Sequence, residues 1–328
     1  MAKISVIILN WNGYNLLKEY LQRVLDATDP ELSEVIVADN GSTDGSLDYV
    51  RWLGLRTICF DENHGFAGGY NLALAEVDTP YTVLLNSDVA PCPGWDRALY
   101  DYMDAHPRCG ACQPKILSWR EPERFEYAGA AGGFLDRNGY PYCRGRIFGS
   151  VEVDRGQYDD PVEVDWASGA ALMVRTALYR EVGGLDESFF AHMEEIDLCW
   201  RMRLAGWTVA AVPSASVMHL GGGSLPMGNP RKTYLNFRNN LLLLHKNLPD
   251  ADRARALTRR RLLDTIAWVK SVMTFNFADA KAIVKAHRDY RTMAPAAKLS
   301  GAGTNLLGGR PNILLKYFLA RKTRFSQL

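Results

Sequence analysis

The first 90 residues repeat one pattern four times: a short apolar run, a polar turn, and an apolar repeat with helical spacing. The short runs suit buried strands, and the repeats place their apolar residues on one face of a helix. Strand–turn–helix units in succession fold into a parallel sheet with right-handed crossovers. The pattern therefore predicts an α/β chain with a mostly parallel central sheet flanked by helices, and with strands near residues 4–9, 35–38, 57–60 and 81–85.

Polar side chains stand at or just past the carboxyl ends of the predicted strands: Asn10, Asp39, Asn63, Asn86 and Asp88. In open α/β sheets, ligands bind at this edge. The same residue types also form turns and helix caps, but strand ends that converge on one edge favour a binding site. No GxGxxG or GxxxxGK[ST] pattern occurs in the sequence, which disfavours dinucleotide-binding and P-loop functions.

The segment 189–201, FFAHMEEIDLCWR, places three carboxylates, Glu194, Glu195 and Asp197, at the start of an apolar helical pattern. Helical spacing puts Glu195 in line with apolar residues, while Asp197 faces Arg201 one turn on. Burial raises the pKa of a carboxyl group, as a general base requires. The alternative is that acidic residues simply suit the positive end of a helix, where each contributes up to about 1 kcal/mol. This segment alone leaves both interpretations open.

The chain resembles inverting family 2 glycosyltransferases with the GT-A fold in five ordered motifs: ISVIILNWNG, VIVADNGSTDGS, NHGFAGGYNLA, LLNSD and FFAHMEEIDLCWRMRLAGW. The resemblance covers roughly residues 3–245 and extends to bacterial enzymes of the rhamnosyltransferase-like type. It implies a GT-A catalytic domain at 1–230, with a nucleotide-sugar half at about 1–117 and an acceptor half at about 118–230. A basic C-terminal helical appendage, 231–328, follows this domain.

The resemblance implies a role for each polar strand end. Asp39 matches the carboxylate that hydrogen-bonds the uracil or thymine ring, and Asn10 and Asn63 lie where nucleotide contacts are expected. The triplet Asn86-Ser87-Asp88 occupies the DxD position, whose last aspartate helps hold Mn²⁺ or Mg²⁺ against the diphosphate. Asn86 replaces the first aspartate of that motif, so its direct part in metal binding is in question.

The metal and the base complete the implied site. His219 ends a strand-like run at the distance where related transferases have a histidine metal ligand, so Asp88 and His219 form the predicted metal site. An oxygen donor with an imidazole suits Mn²⁺ or Mg²⁺. Glu195 occupies the position of the catalytic base, where the family usually has an aspartate, and Asp197 is the second candidate for that role.

The acceptor side is predicted from the segment around Asp165 and Trp166, which resembles the family's acceptor site, together with Glu194. The alternative is an aromatic core residue beside a strand-end aspartate. Residues 118–165 are rich in Gly, Tyr and Arg and lack helical periodicity, which predicts loops and hairpins that border the acceptor.

The implied activity is a metal-dependent, inverting transfer from dTDP-rhamnose or a UDP-sugar to a saccharide or polyprenyl-linked acceptor in bacterial surface-glycan synthesis. One base and no enzyme nucleophile mean a single displacement with inversion at the anomeric carbon. The alternative is a catalytically silent GT-A module that binds a nucleotide sugar or a glycan. The departures at Asn86 and Glu195 leave this alternative open.

The charge of the chain is divided unevenly. Residues 231–328 hold 20 lysines and arginines against 5 acidic residues, a net charge of +15, whereas the rest carries −14. Basic amphipathic helices in this region suit an anionic membrane surface, and the rival interpretation is packing on the catalytic domain or in a homodimer. No nucleic-acid recognition motif accompanies the basic residues. Six irregularly spaced cysteines, with no signal peptide and no membrane-spanning run, predict a cytoplasmic chain, or one peripheral on the inner face of the membrane.

Overall fold

The computed structural model describes residues 2–221 and 228–328. Over these residues the chain forms thirteen strands: β1 (Ile4–Asn10), β2 (Ser33–Asn40), β3 (Arg56–Phe60), β4 (Tyr81–Leu85), β5 (Val89–Pro91), β6 (Cys109–Ser118), β7 (Gly133–Leu135), β8 (Pro141–Cys143), β9 (Arg146–Ile147), β10 (Ser150–Val151), β11 (Val162–Glu163), β12 (Ala171–Arg175) and β13 (Thr208–His219). The four strands expected from the repeated pattern are β1 to β4, so that prediction is confirmed.

The same residues form nine α-helices: α1 (Tyr14–Ala27), α2 (Ser46–Trp52), α3 (Gly65–Ala75), α4 (Trp95–Ala105), α5 (Thr176–Glu181), α6 (Glu194–Leu204), α7 (Pro230–Asn247), α8 (Asp250–Met273) and α9 (Phe277–Met293). Short 3₁₀ turns lie at Glu187–Phe189, Ala294–Ala296 and Phe325–Gln327, and a π-helical turn lies at Leu315–Leu319. The first three helices each connect consecutive parallel strands, as crossover connections require.

The main sheet has nine strands in the order β11-β13-β6-β12-β4-β1-β2-β3, and β5 pairs with β13. Strands β3, β2, β1 and β4 are parallel. Strand β12 runs antiparallel between β4 and β6, and β13 is parallel to β6. The predicted α/β architecture with a mostly parallel sheet is confirmed, and the antiparallel insertion of β12 brings residues from the second half of the chain beside β4.

Alternate residues of each central strand enter two hydrophobic layers, one on each face of the sheet. Ile7 and Leu84 pack with Tyr70 of α3 on one face. Val6 and its neighbours pack with Leu17 of α1 on the other face. Because successive strand side chains point to opposite faces, a strand covered by helices on both sides reads as a continuous apolar run. This burial explains why β1 to β4 are visible in the sequence.

Residues 118–165 hold the second sheet, four short antiparallel strands in the order β10-β9-β8-β7. The predicted acceptor half, 118–230, also includes residues 222–227, which lie outside the described residues.

The predicted C-terminal helical appendage consists of α7, α8 and α9. Helix α7 packs against α9, α8 and α6. It therefore connects the C-terminal helices to α6, the helix that begins with Glu194 and Glu195. Among residues 2–221 and 228–328, no helix combines the length and the apolar character needed to cross a bilayer.

Candidate active site

The carboxyl ends of β1 and β2 form one hydrogen-bonded cluster. Asn10 and Asp39 are paired in register, and both side chains are buried. Asn10 Nδ2 donates to Asp39 Oδ1 at 3.0 Å and to Ser46 Oγ at 2.8 Å. The Ser42 amide donates to Asp39 Oδ2 at 3.0 Å. Asn10 Oδ1 is buried without a hydrogen-bond partner among the described residues, which is unusual for a buried polar atom.

Asn63 lies one strand further along the same edge, but its side chain is engaged within the protein. Its Oδ1 accepts from Gly65 N at 2.8 Å and from Asn40 Nδ2 at 3.0 Å. The Asn40 side chain in turn accepts from His64 N at 3.0 Å. Asn63 and Asn40 thus fix the turn that starts α3. The sequence indicated Asn63 as a nucleotide contact and gave no sign of the part played by Asn40.

The end of β4 meets the end of β13. Asp88 Oδ1 and His219 Nε2 lie 3.1 Å apart, and both residues are more than nine-tenths buried. Backbone pairing of His219 with Val89 fixes this approach. On the other side of the imidazole, Glu126 Oε2 lies 3.5 Å from Nδ1, an ion-pair contact rather than a hydrogen bond. Glu126 was not predicted, because it lies in the irregular segment between β6 and β7, whose fold over β6 brings it beside His219.

The donor chemistry of Asp88 and His219 fits a divalent cation. Adjacent ligands of an octahedral ion with bonds of about 2.1 Å lie about 3 Å apart, close to their 3.1 Å separation. Burial opposes a charge on the imidazole, but contacts with Asp88 and Glu126 outweigh it and raise the pKa of His219 to about 10. A cation that uses Nε2 must therefore displace a proton. Among the described residues, no cluster of three or more His, Cys, Asp or Glu side chains is arranged to hold a metal.

The Glu194–Glu195 pair begins α6 after an unusual loop. Phe190, His192 and Met193 all have positive φ, at 66°, 67° and 76°. Each such residue costs roughly 1–3 kcal/mol and persists only where surrounding contacts enforce it. The loop thereby turns both glutamates inward, and the Oε2 atoms of Glu194 and Glu195 are buried without hydrogen-bond partners among residues 2–221 and 228–328.

Burial dominates the protonation of this pair. It raises the pKa of Glu195 to about 7. Burial, together with the charge of Glu195, holds the pKa of Glu194 well above its usual value. Both carboxyl groups therefore hold a proton more tightly than exposed glutamates do. Carboxyl groups with pKa values perturbed by burial are typical of functional sites.

Strand β12 brings this pair beside the end of β4. Asn86 N donates to Ala170 O at 3.0 Å. A Cβ atom added to the neighbouring Gly169 would lie 3.8 Å from Glu195 Cβ. Glu195 therefore packs beside Gly169, the residue before the one that bonds Asn86. Among the predicted site residues, Asn10 contacts Asp39 and Asp88 contacts His219 directly.

Helix α7 holds the loop that carries the glutamates. Asn239 Nδ2 lies 2.9, 2.8 and 2.7 Å from the carbonyl oxygens of Phe189, Ala191 and His192. Arg238 Nη2 donates to Phe189 O at 2.7 Å. Both side chains are buried. The sequence analysis missed this pair, and its only signal was an Arg-Asn-Asn run in the middle of a helix.

Asp197 is placed differently from Glu195. Its side chain is fully buried, and its Oδ2 lies 2.8 Å from Arg201 Nε and 3.1 Å from Lys246 Nζ. Its Oδ1 accepts from Asn247 Nδ2 at 2.7 Å. Both oxygens are thus occupied by partners on α6 and α7, which is the arrangement of a structural ion-pair network rather than of a base.

Asp165 and Trp166 are also buried within the protein. Asp165 accepts from Leu135 N at 2.8 Å and pairs with Arg203 at 2.9 Å and with Arg310 of the C-terminal segment. The Trp166 indole donates to Phe134 O at 3.1 Å, and its ring packs on Gly133. These contacts favour the core interpretation over acceptor binding, because neither side chain presents an unused polar group.

A cavity of 830 Å³ lies behind α6. Its lining includes Arg201, Arg203, Lys246 and residues 298–306, and none of the strand-end residues. Arg201, Arg203 and Lys246 are already paired with carboxylates. This cavity is therefore separate from the strand-end site.

Comparisons with known proteins agree with the geometry. Residues 5–149 match the model of glycosyl transferase family 2. Over 235 residues the chain is 31% identical to N-acetylglucosaminyl-diphospho-decaprenol L-rhamnosyltransferase of Mycobacterium tuberculosis, an alignment that covers 66% of this chain and 75% of that protein. It is 25% identical over 260 residues to dTDP-rhamnosyl transferase RfbF of Shigella flexneri, which covers 73% and 82% of the two chains.

Solved structures agree at the level of the fold. Mannosyltransferase PcManGT from Pyrobaculum calidifontis, solved with GDP-Man and Mn²⁺, superposes with a TM-score of 0.54 and covers 98% of this chain and 88% of its own. Its identity to this chain is 15%, so the likeness concerns the fold alone. The predicted GT-A fold is confirmed.

Proposed function

This chain belongs to glycosyl transferase family 2 and is a glycosyltransferase of the rhamnosyltransferase-like type. On that premise, we propose that it transfers rhamnose from dTDP-rhamnose to a lipid-linked saccharide. We propose further that the transfer requires Mn²⁺ or Mg²⁺. The donor and acceptor classes are supported by the names of the two rhamnosyltransferase relatives. The observation that carries the proposal is the buried carboxyl group of Glu195, with a pKa of about 7, beside the end of β4.

The donor nucleotide occupies the edge formed by β1 and β2. Asp39 accepts the ring N–H of thymine, and the unpaired Oδ1 of Asn10 accepts a second N–H or a hydroxyl group. Asn63 acts through the turn that it holds rather than by direct contact. Asn86, at the end of β4, faces the sugar side of the donor, and Asp88 faces the diphosphate.

Asp88 and His219 are the residues that would hold a divalent cation, which would offset the charge that builds on the departing diphosphate. Asp88 supplies the oxygen donor and His219 supplies Nε2, after that nitrogen has lost its proton. Asn86 leaves the site one carboxylate short of a DxD motif, and an amide oxygen is a weaker donor than a carboxylate oxygen. We therefore expect the affinity for the free cation to be modest.

The acceptor hydroxyl approaches from the side of Glu195. Its oxygen forms a bond to C1 of the sugar while the bond from C1 to the diphosphate oxygen breaks, and the electron pair leaves with the nucleoside diphosphate. The hydroxyl proton passes to the Glu195 carboxylate. The raised pKa of the neighbouring Glu194 favours the protonated form of its carboxyl group. Attack opposite to the leaving group inverts the anomeric carbon.

Three predicted site residues receive structural roles in this proposal. Asp197 joins α6 to α7, and its two oxygens are occupied by cations and an amide. Asp165 anchors Arg203 and Arg310, and Trp166 fills the core beside β7. The base is therefore Glu195 and not Asp197.

The test uses the full chain, dTDP-rhamnose, UDP-linked and GDP-linked sugars, and a GlcNAc-diphosphate acceptor on a short polyprenyl chain. We expect dTDP release and a rhamnosylated product, which stop with EDTA and return with Mn²⁺ or Mg²⁺. Asp88→Ala should lose this metal response, while Asp61→Ala, an exposed acid near the same edge, should keep it. If the chain turned over UDP-sugars but not dTDP-rhamnose, the proposed donor would be wrong. Donor binding without turnover would support the silent binding module instead.

A further inference from the structure

Helix α8 exposes a stripe of large apolar side chains. Its buried side chains are Leu257, Arg260 and Asp264, on one face. The opposite face carries four residues spaced by four, three and four positions, with exposed fractions between 41% and 74%: Leu262, Ile266, Val269 and Met273. This spacing keeps all four on one side of the helix. An amphipathic helix ordinarily turns such a stripe toward a core, whereas here the polar and charged face is turned inward.

The turn between α8 and α9 extends this apolar face. Phe275 is 80% exposed and has a φ of 57°, a conformation that a bulky residue rarely adopts. Phe277 is half exposed, with its ring centre 6.2 Å from that of Phe275. Between the helices, a groove of 470 Å³ is lined by Trp268, Phe277 and Val284, with Lys281 and Lys285 beside them.

Cations surround the apolar face. The salt bridges of this hairpin involve Arg253, Arg260, Lys285 and Arg288. Six further cations of α8 and α9 have no carboxylate partner among the described residues: Arg255, Arg259, Arg261, Lys270, Lys281 and Arg291. By helical spacing, Arg255, Arg259 and Lys270 lie on or next to the side of α8 that carries the apolar stripe. The surface thus combines exposed apolar area with uncompensated positive charge.

We propose that the outer face of α8 and α9 binds the surface of an anionic lipid membrane, with the stripe and the two phenylalanines inserted among the head groups. An anionic bilayer offers an apolar phase for the exposed stripe and negative charge for the unpaired cations of this face. A second copy of the chain would bring like charges together, and a nucleic acid would leave the stripe in water. The proposal goes beyond the transferase reaction and stands without it, because it rests on exposure and charge.

The inner face of α8 is connected through side-chain contacts to the loop that carries Glu195. Arg260 lies 3.9 Å over the ring of Tyr140, pairs with Asp264 at 2.7 Å and donates to Asn240 of α7. The neighbouring Asn239 holds the loop that carries Glu195. Membrane attachment through α8 would therefore hold the active site at a fixed height over the bilayer, where a lipid-linked acceptor presents its saccharide.

The experiment is co-sedimentation of the full chain with vesicles of phosphatidylcholine alone or with about 30% phosphatidylglycerol. We expect binding to the anionic vesicles to be at least about tenfold tighter and to weaken as salt is raised, because each cation near such a surface contributes about fivefold. Ile266→Ser with Met273→Ser should weaken binding about tenfold or more. Lys270→Glu with Lys281→Glu should abolish the preference for anionic vesicles.

The matched control is Trp52→Ser with Leu72→Ser, which removes exposed apolar side chains from α2 and α3. This double variant should leave vesicle binding unchanged. Circular dichroism melts confirm that every variant is folded. Equal binding to both vesicle types, or binding insensitive to both double variants, would overturn the proposal. The proposal would also be overturned if light scattering showed that the unmodified chain is a dimer and that the Ile266→Ser, Met273→Ser variant is a monomer. Donor turnover with a water-soluble acceptor should persist in both double variants, and its loss in a folded variant would also overturn the assignment.

Discussion

The strand-end site and the α8–α9 hairpin each reverse the usual distribution of polar and apolar groups. At the site, one carboxyl oxygen of Glu194 and one of Glu195 are buried without hydrogen-bond partners among the described residues. On the hairpin, Ile266 and Met273 are exposed to water. Buried polar groups and exposed apolar patches are both costly or unusual in folded proteins. The two reversals nevertheless differ, because the first prepares a proton transfer and the second leaves a surface to be covered.

The largest expected effect comes from Glu195→Gln, which removes the base but keeps the shape of the side chain. We expect kcat to fall by about 10²–10⁴-fold, the usual contribution of a general base. The Kd for the donor, measured by calorimetry, should stay within about twofold because the donor is held by other strand ends. The matched control is Glu181→Gln, an exposed acid on α5, which should leave kcat unchanged. Near-normal turnover in Glu195→Gln would refute the assignment of the base.

Asp197→Ala tests whether the neighbouring carboxylate is structural. Removal of one partner from a buried ion-pair network costs about 3–5 kcal/mol in the free energy of unfolding, and urea denaturation should record a loss of that size. Asp197→Asn, assayed at a temperature where it is folded, should keep most of its kcat. The exposed Asp104→Ala should change stability little. A folded Asp197→Asn protein with no turnover would transfer the role of base to Asp197.

Asn239→Ala tests the support of the strained loop. Loss of the amide removes the side-chain donor to the carbonyl groups of Ala191 and His192 and leaves Phe189 O with Arg238 alone, which lets the loop relax. We expect kcat to fall by about 10–100-fold through misplacement of the base, with little change in donor KM. The rising limb of the pH profile should also move toward lower pH, since Glu195 becomes more hydrated. The control Asn276→Ala, at the exposed cap of α9, should move neither quantity.

The pH dependence of the rate distinguishes a buried base from an ordinary carboxylate. Burial raises the pKa of Glu195 to about 7, so the group loses its basic form as the pH falls through 7. We expect kcat to drop about tenfold per pH unit below 7. The same shift makes the folded state bind a proton more tightly than the unfolded state, so this group's contribution to stability declines as the pH rises from about 4.5 to 7. A rate that is flat down to pH 5 would contradict the assignment.

The smallest expected effect belongs to the hairpin. Ile266→Ser removes an apolar side chain that is 66% exposed, so the free energy of unfolding should change by less than about 0.5 kcal/mol. Ile7→Ser, in the buried layer beside α3, should lose several kcal/mol by the same measurement. A large loss from Ile266→Ser would mean that the apolar stripe belongs to the folded core.

Much of the fold could be predicted because its signals are local. β1 to β4 read as apolar runs since both faces of the sheet are covered, and the convergence of their ends follows from parallel pairing. Asp88 and His219 lie 131 residues apart in the chain, and only the resemblance to a family suggested their contact, which pairing of β5 with β13 produces. Glu126 carried no signal, because its approach to His219 depends on how an irregular segment folds over β6.

The sequence by itself determined the positions of the first four strands, and it predicted a site at their carboxyl ends with two candidate bases two residues apart. Only the tertiary structure distinguishes the surroundings of those two carboxyl groups. Lys246 and Asn247, about fifty residues away, occupy both oxygens of Asp197, while the strained loop leaves Glu195 buried and unpaired. Helical spacing tells which face a side chain is on, but its protonation and reactivity depend on the groups that other parts of the chain bring against it.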